Sequence, residues 1–427
     1  MPKGSISNCA SDHLFSQQRY LDGSNYHIGI CNAWSQSTGS NVVVAVIDEG
    51  IDTQHIDLAT NMHSTSYDCT FGGNQQIHSN HGTYVAGIIG ALRNNYNSQQ
   101  SRYEGIAGVA PNCRLMSISH NVGSQTTPNG IIQLAAGIDF ARTNGADVIN
   151  CSWSNNVLQG STITDAINRA TSLGRSNKGC VVVVSTGNEG NSSVNYPANL
   201  SNVISVGAIS YYDGLRWSNS NYGGDLKVVA PGLDIKTTSR INDYDTRTGT
   251  SFAAPQVSGI AALIISRYPN ITGLDVRNAI YASCTKIHPT TYPYSPISVG
   301  SSLTRNNQVG YGLVNAYSAI MAAAPPPAYY ITTSLGNYSG TSTIYASGGY
   351  AGITLLAYSN STTPTSYVWS ATWTGQCDRW YSWPSGNKTD ISVYLNPGHT
   401  GGVLCVECKM YNGSTLLGTA TYYLYVY

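Results

Sequence analysis

Charge is what this sequence has least of. Only 10% of its 427 residues are Asp, Glu, Lys or Arg, against about 25% in an average soluble protein. The 21 basic residues balance the 21 acidic ones, so the chain has no electrostatic footprint for nucleic acid or an anionic membrane, and neither is expected as a partner. No apolar run approaches the roughly 18 residues of a membrane-spanning helix, and residues 1–8 contain no apolar signal core. With so few charges, Ser, Thr, Asn, Gly and Tyr must cover most of the surface, which points to a secreted or cell-surface protein whose export segment is expected to be missing from this sequence. The ten cysteines are too scattered for a metal cage: the close pair Cys405 and Cys408 lacks a second ligand pair. Disulfides, or a mixture of bridges and buried thiols, both fit.

What is present is an alternation of short apolar runs with helical patterns over the first 320 residues. The run 42–47 (VVVAVI) is continuous and rich in β-branched residues, as in a strand buried on both faces. In 83–92, Val85, Ile88, Ile89 and Leu92 recur at helical spacing, and 129–144 repeats the pattern with Asn144-Gly145 as a stop. Further strands are predicted near 146–151, 181–184, 203–208 and 226–230, and helices near 162–173, 251–268, 272–283 and 312–323. Strand, helix, strand in this order means crossover connections, and hence an α/β fold with a doubly wound, mostly parallel sheet. Pro325-Pro326-Pro327 then makes a stiff spacer. Beyond it, Tyr, Trp, Thr and Val alternate in short runs broken by Gly, Asn and Pro, as in a small all-β sandwich; Trp369 with Cys405 and Cys408 gives it an immunoglobulin-like layout. The division expected is residues 1–11 as an extension, 12–324 and 329–427 as domains, and 325–328 as the linker.

Three segments carry chemistry. Asp48 ends the first buried strand, His81 opens a helix in HGTYVAG (81–87), and Ser251 opens another in GTSFAAP (249–255). Singly, each has a plainer role: Asp48 as a turn residue, His81 as surface loop, Ser251 as an N-cap. Together they are the parts of an activated nucleophile. A serine hydroxyl needs a base to remove its proton; imidazole serves near neutral pH, and a carboxylate fixes its tautomer and stabilises the imidazolium. In an open α/β sheet the reactive crevice lies beyond the carboxyl ends of the strands, where these three sites can converge.

In residue order and flanking sequence, these segments resemble the subtilisin-like serine proteases (subtilases, peptidase S8 family). The resemblance runs from about Asp12 to Ile320 and includes the block GYGLVNA (310–316). It implies a serine endopeptidase hydrolysing peptide bonds through an acyl-enzyme, with Asp48, His81 and Ser251 as the triad. Asn188, at the end of the run VVVVSTGN (181–188), is implied as an oxyanion donor beside the Ser251 backbone N–H. Substrate is expected along Ser152, Trp153 and Ser154, with 120–123, including Gly123, as the opposing strand. The family usually has glycine where Ser154 stands, so specificity is the least transferable feature. Trp153 is either a pocket wall or core. Glu189 either attracts a basic side chain or is a solvated rim charge. Glu49 and Tyr84 stand where many relatives have Thr or Ser and a second histidine. Pro255 cannot donate to the Ser251 carbonyl and should bend its helix.

The catalytic chemistry requires no cofactor. Structural calcium is implied near Asp57, Asn94 and Asn95, although Arg93, Arg102 and a longer loop favour an ordinary loop. The expected partner is a peptide or protein substrate bound by a monomer. Two rival readings share the same residues: a peptide ligase or macrocyclase using the same acyl-enzyme, and a binding or adhesion protein on an idle protease scaffold.

Overall fold

The computed structural model describes residues 9–121, 127–154, 161–298 and 301–323 in full, and the backbone of the strands within 329–426. The chain divides into two compact units, Met1–Ala324 and Pro325–Tyr427.

The first unit is built on a seven-stranded sheet. Its strands are β1 (Val43–Asp48), β2 (Tyr67–Asp68), β3 (Arg114–Ser119), β4 (Val148–Cys151), β5 (Val181–Ser185), β6 (Ile204–Ile209) and β7 (Val228–Pro231). They lie in the order β2-β3-β1-β4-β5-β6-β7, and every pair is parallel. The helices are α1 (Ile30–Trp34), α2 (His81–Gly90), α3 (Pro128–Thr143), α4 (Ser161–Asn177), α5 (Thr250–Arg267), α6 (Gly273–Ala282) and α7 (Ala316–Ala322).

Alternate strand residues face opposite layers, as the two-residue period of a strand demands. Val44, Val46, Val181 and Val183 join a core with Val85 and Ile88 of α2 and Val257, Ile260 and Leu263 of α5. Ala45, Ile47, Val182 and Val184 join the other, with Leu134 and Ile138 of α3 and Ile163 and Ile167 of α4. A strand buried on both faces can carry no polar stripe, which is why β1 and β5 read as unbroken apolar runs. After β1 the chain adds β3 on one side and later β4 on the other. The carboxyl end of β1 is therefore a switch point, and Asp48 sits on it.

Three features differ from the sequence expectation. Strand β3 is an interior strand, between β2 and β1, yet it is not marked by a β-branched run: Ser117 and Ser119 alternate with Met116 and Ile118, and all four are buried. An antiparallel hairpin, β8 (Ile235–Ser239) with β9 (Asp243–Arg247), precedes α5. Helix α7 starts at Ala316 rather than near 312, because Asn315 caps it by accepting from the Ser318 N–H and Gly312 takes a left-handed φ of 122°. A Cβ at Gly312 would lie 2.3 Å from the Thr285 carbonyl oxygen.

In the second unit the strands are β10 (Tyr329–Thr333), β11 (Gly340–Ile344), β12 (Ala351–Ser359), β13 (Ser366–Gly375), β14 (Arg379–Ser382), β15 (Asp390–Leu395), β16 (Gly402–Asn412) and β17 (Thr415–Val426). They pair into two four-stranded sheets, β10-β12-β15-β14 and β11-β17-β16-β13. All pairs are antiparallel except β11 with β17, which is parallel. The proline spacer lies outside the described residues. Among the described residues no helix is long and apolar enough to cross a membrane.

Candidate active site

Asp48 and His81 meet because two backbones come very close. Gly82, the second residue of α2, packs against Gly50: a Cβ at Gly82 would lie 2.3 Å from the Gly50 carbonyl oxygen. Only hydrogen fits there, so α2 starts directly over the end of β1. The His81 Nδ1 lies 2.8 Å from Asp48 Oδ1, which also accepts from the Glu49 N–H at 2.8 Å. A carboxylate can only accept, so the shared proton sits on Nδ1 and the neutral ring keeps its lone pair on Nε2. Burial pushes the imidazole pKa down, but the Asp48 charge and hydrogen bond, with the Glu49 charge, outweigh it; the net pKa is above the ordinary histidine value.

Ser251 is the second residue of α5 and lines the same cleft as Asp48, His81, Asn188 and Glu189. Its hydroxyl donates to the Ser152 carbonyl at 3.0 Å. The structure thus brings Ser251 to the His81 cleft with its Oγ turned to Ser152. In return, the Ser152 hydroxyl donates to the Ser251 carbonyl at 2.9 Å. That carbonyl is the one left without a helical partner by Pro255, four residues on. Helix α5 continues unbroken through Pro255 to Arg267 because this hydroxyl supplies the missing bond. Ser152 is itself held by Asn150 Nδ2 at 2.9 Å, and Asn150 by the Ser258 hydroxyl at 2.8 Å.

Asn188 is oriented by its neighbour. Its Oδ1 accepts from both the backbone N–H and the hydroxyl of Thr250, each at 2.9 Å. With the oxygen committed, the amide NH2 is the face left for the cleft. It stands beside the N-terminus of α5, where backbone N–H groups have no helical acceptor.

The expected substrate residues divide. Strand β4 is paired on both sides, so it has no free edge within 148–151; only Ser152, Trp153 and Ser154 extend past it into the cleft lining. Trp153 is at once wall and core: it lines the cleft but is 6% exposed, and its indole N–H donates to the Ile47 carbonyl. Glu189 is exposed at the cleft, where its Oε2 accepts from Asn195 Nδ2 at 3.0 Å and Asn221 Nδ2 at 2.6 Å. Asn195 also donates to the Ser154 hydroxyl, tying the two cleft walls together. Gly123 lies outside the described residues. Two residues escaped the sequence reading, Asn195 and Asn221, which stand outside the quoted motifs; His120, expected only as part of the opposing strand 120–123, lines the cleft.

In the loop implied for calcium, Asn94 Oδ1 accepts from the Ser11 N–H. Asp12, an unforeseen member, comes in through its Oδ1, which accepts from the Asn94 N–H. The Asp12 Oδ2 and the Asn95 Oδ1 are buried without partners. Burial pushes the Asp12 carboxyl up to about 7, with the Asp57 charge adding to it, and burial raises Asp57 as well. Arg93 stacks over the Trp34 ring at 4.5 Å and Arg102 pairs with Glu104.

With this geometry the similarities to known proteins agree. A sequence model of the Subtilase family matches residues 39–312. The chain belongs to the subtilase family. Its enzyme class is that of a subtilisin-like serine protease, a hydrolase. It is 37% identical over 292 residues to the thermophilic serine proteinase of Bacillus sp. (strain AK1), covering 67% of this chain and 64% of that protein. It is 36% identical over 264 residues to subtilisin DY of Bacillus licheniformis, covering 60% and 87%. Subtilisin BL of Lederbergia lenta is 36% identical over 282 residues, covering 66% and 91%. A solved structure of proteases from Pseudoalteromonas arctica PAMC 21717 superposes with a TM-score of 0.61 at 28% identity, covering 74% of this subtilase and 100% of that chain.

Proposed function

We propose that this subtilase is a serine endopeptidase in which Asp48, His81 and Ser251 act as one relay. The observation that carries the reading is the 2.8 Å Asp48–His81 contact across a cleft shared with Ser251 and Asn188. Substrate enters; the Ser251 hydroxyl leaves the Ser152 carbonyl and gives its proton to His81 Nε2. Its oxygen bonds to the scissile carbonyl carbon. The oxyanion is stabilised by the Asn188 amide and by the Ser251 backbone N–H at the start of α5. The imidazolium, held by Asp48, passes the proton to the leaving amine as the C–N bond breaks, and water then releases the acyl group by the same relay run backwards. Ser152–Ser154 and Glu189 line the substrate side.

We read the protein as a monomer that acts on peptide or protein substrates. The Cys9–Cys31 disulfide, with the low charge content, supports an extracellular setting. The second unit is read as an immunoglobulin-like sandwich of its two sheets. A calcium ion fits the loop at Asp12, Asp57 and Asn95: orphaned buried oxygens and two uncomfortable carboxyls suit a hard cation, which would neutralise them and fix the loop.

The test is Ser251→Ala. Casein hydrolysis and labelling by a fluorophosphonate probe should both fall to background while the protein stays folded. Hydrolysis that survived the substitution would overturn the assignment.

A further inference from the structure

His120 follows β3 directly, and its backbone N–H donates to the Asp48 carbonyl at 2.9 Å. Strand register puts Ser119 beside Asp48, so the next residue stands at the catalytic carboxylate. Its ring is 1% exposed, lines the cleft, and has no hydrogen-bond partner on either nitrogen. Trp153 holds the ring edge-on, with centroids 5.8 Å apart at 81°, while its own indole N–H anchors to Ile47, the residue before Asp48. Asp48 lines the same cleft, and its Oδ2 is likewise buried without a donor. An unserved buried carboxylate oxygen and an unused buried N–H, on two residues that line one cleft of about 240 Å³, are complementary needs.

We propose that His120 is a positioning residue whose ring N–H serves Oδ2 of Asp48 through a bridging water, fixing the carboxylate plane that orients His81. The ring suits the task because it stays neutral. Burial drives its pKa down to about 4, against the opposing pull of the Asp48 charge. The other titratable groups around it, Asp68 and His78 on the β2 side and Glu49 and His81 in the cleft, leave it an uncharged donor across the working pH range. Without that donor, the Asp48 charge is less satisfied and falls more fully on the imidazolium of His81. The carboxylate is also freer to turn.

The role presupposes the Asp48–His81–Ser251 relay, so it is read in two independent ways. In the Ser251→Ala background, NMR titration of the His81 ring needs no turnover. His120→Val should raise the His81 pKa by about half a unit, and His120→Gln, which keeps an uncharged N–H, should return it most of the way. In the active enzyme, His120→Val should lower kcat about 10-fold with KM nearly unchanged, and His120→Gln should recover most of it. His120→Leu replaces the valine variant if thermal unfolding shows that one to be disordered. An unchanged His81 titration, or a glutamine variant no better than the apolar one in folded protein, overturns the proposal. A wild-type enzyme that neither hydrolyses casein nor takes up the fluorophosphonate would instead sink the protease reading, with the NMR result still deciding the role of His120.

Discussion

Two consequences follow at the scale of single residues. His81 must be neutral to accept the Ser251 proton, and Asp48 holds its pKa above the ordinary value of about 6.5. The acid limb of kcat/KM should therefore have its midpoint above that value; a midpoint below it would show that burial, not Asp48, dominates the ring. Stability runs the other way. A histidine with a raised folded pKa contributes stability below its unfolded pKa and loses it as pH rises through the folded one. The pair is strongest where the enzyme is least active. Asn188 gives the second prediction. Asn188→Ala removes the NH2 together with the oxygen that accepts from Thr250, and kcat should drop about 100- to 1000-fold, a range carried over from a subtilisin. A loss expressed mainly in KM would mean that the amide binds substrate rather than the oxyanion. These positions were legible in the sequence because a hydroxyl, an imidazole and a carboxylate need special neighbours, glycines above all, to come together. His120 was legible only as part of the expected opposing strand 120–123: a histidine there has no local signature of a role beside Asp48, and its surroundings exist only once β3 lies beside β1.

At the scale of elements, the interest lies in how α5 tolerates proline one turn after its nucleophile. Pro255 withholds the N–H that the Ser251 carbonyl needs, and the Ser152 hydroxyl delivers a substitute from just beyond β4. Ser152→Ala should thus leave a buried carbonyl unsatisfied and cost about 1–3 kcal/mol. In a Pro255→Ala background the helix can supply its own N–H, and the same substitution should cost clearly less. Denaturant unfolding of the four proteins, all carrying Ser251→Ala to prevent self-digestion, measures the coupling. Equal costs in both backgrounds would show that the two groups act independently. The proline was visible in the sequence; its compensation was not, since Ser152 and Ser251 are neighbours only across the sheet. Strand legibility followed the same division. Strands β1 and β5 show as β-branched runs because both faces are apolar. Strand β3 escaped because Ser117 and Ser119 supply polar atoms that are satisfied inside, Ser117 through Gln75 and Ser119 through Asp68. Burial with a partner is invisible to hydropathy.

At the scale of the whole molecule, the N-terminal segment is bound to a loop some eighty residues on. Cys9 is bridged to Cys31, Ser11 and Asp12 bond to Asn94, and the His13 and Leu14 N–H groups donate to Tyr103 and Gly105. This junction holds Asp12 and Asp57, two buried carboxyls with raised pKa values. The folded state keeps the Asp12 proton up to about pH 7, whereas the unfolded chain releases it near 3.9. Between those limits the native state binds more protons than the unfolded one, so without a cation stability must fall as pH rises from about 4 to about 7. Calcium reverses the sign of this effect, because it favours the ionised carboxylates that burial disfavours. Added calcium should accordingly raise Tm far more at pH 8 than at pH 5, and a chelator should lower it at pH 8 alone. Asp12→Asn should raise Tm in chelator at pH 8 and abolish most of the calcium response. Thermal unfolding of the Ser251→Ala protein reads all of these without self-digestion. A calcium response that is equal at the two pH values, or that survives in Asp12→Asn, would locate the ion elsewhere and leave the buried carboxyls as a proton-linked clasp between the N-terminal segment and its loop.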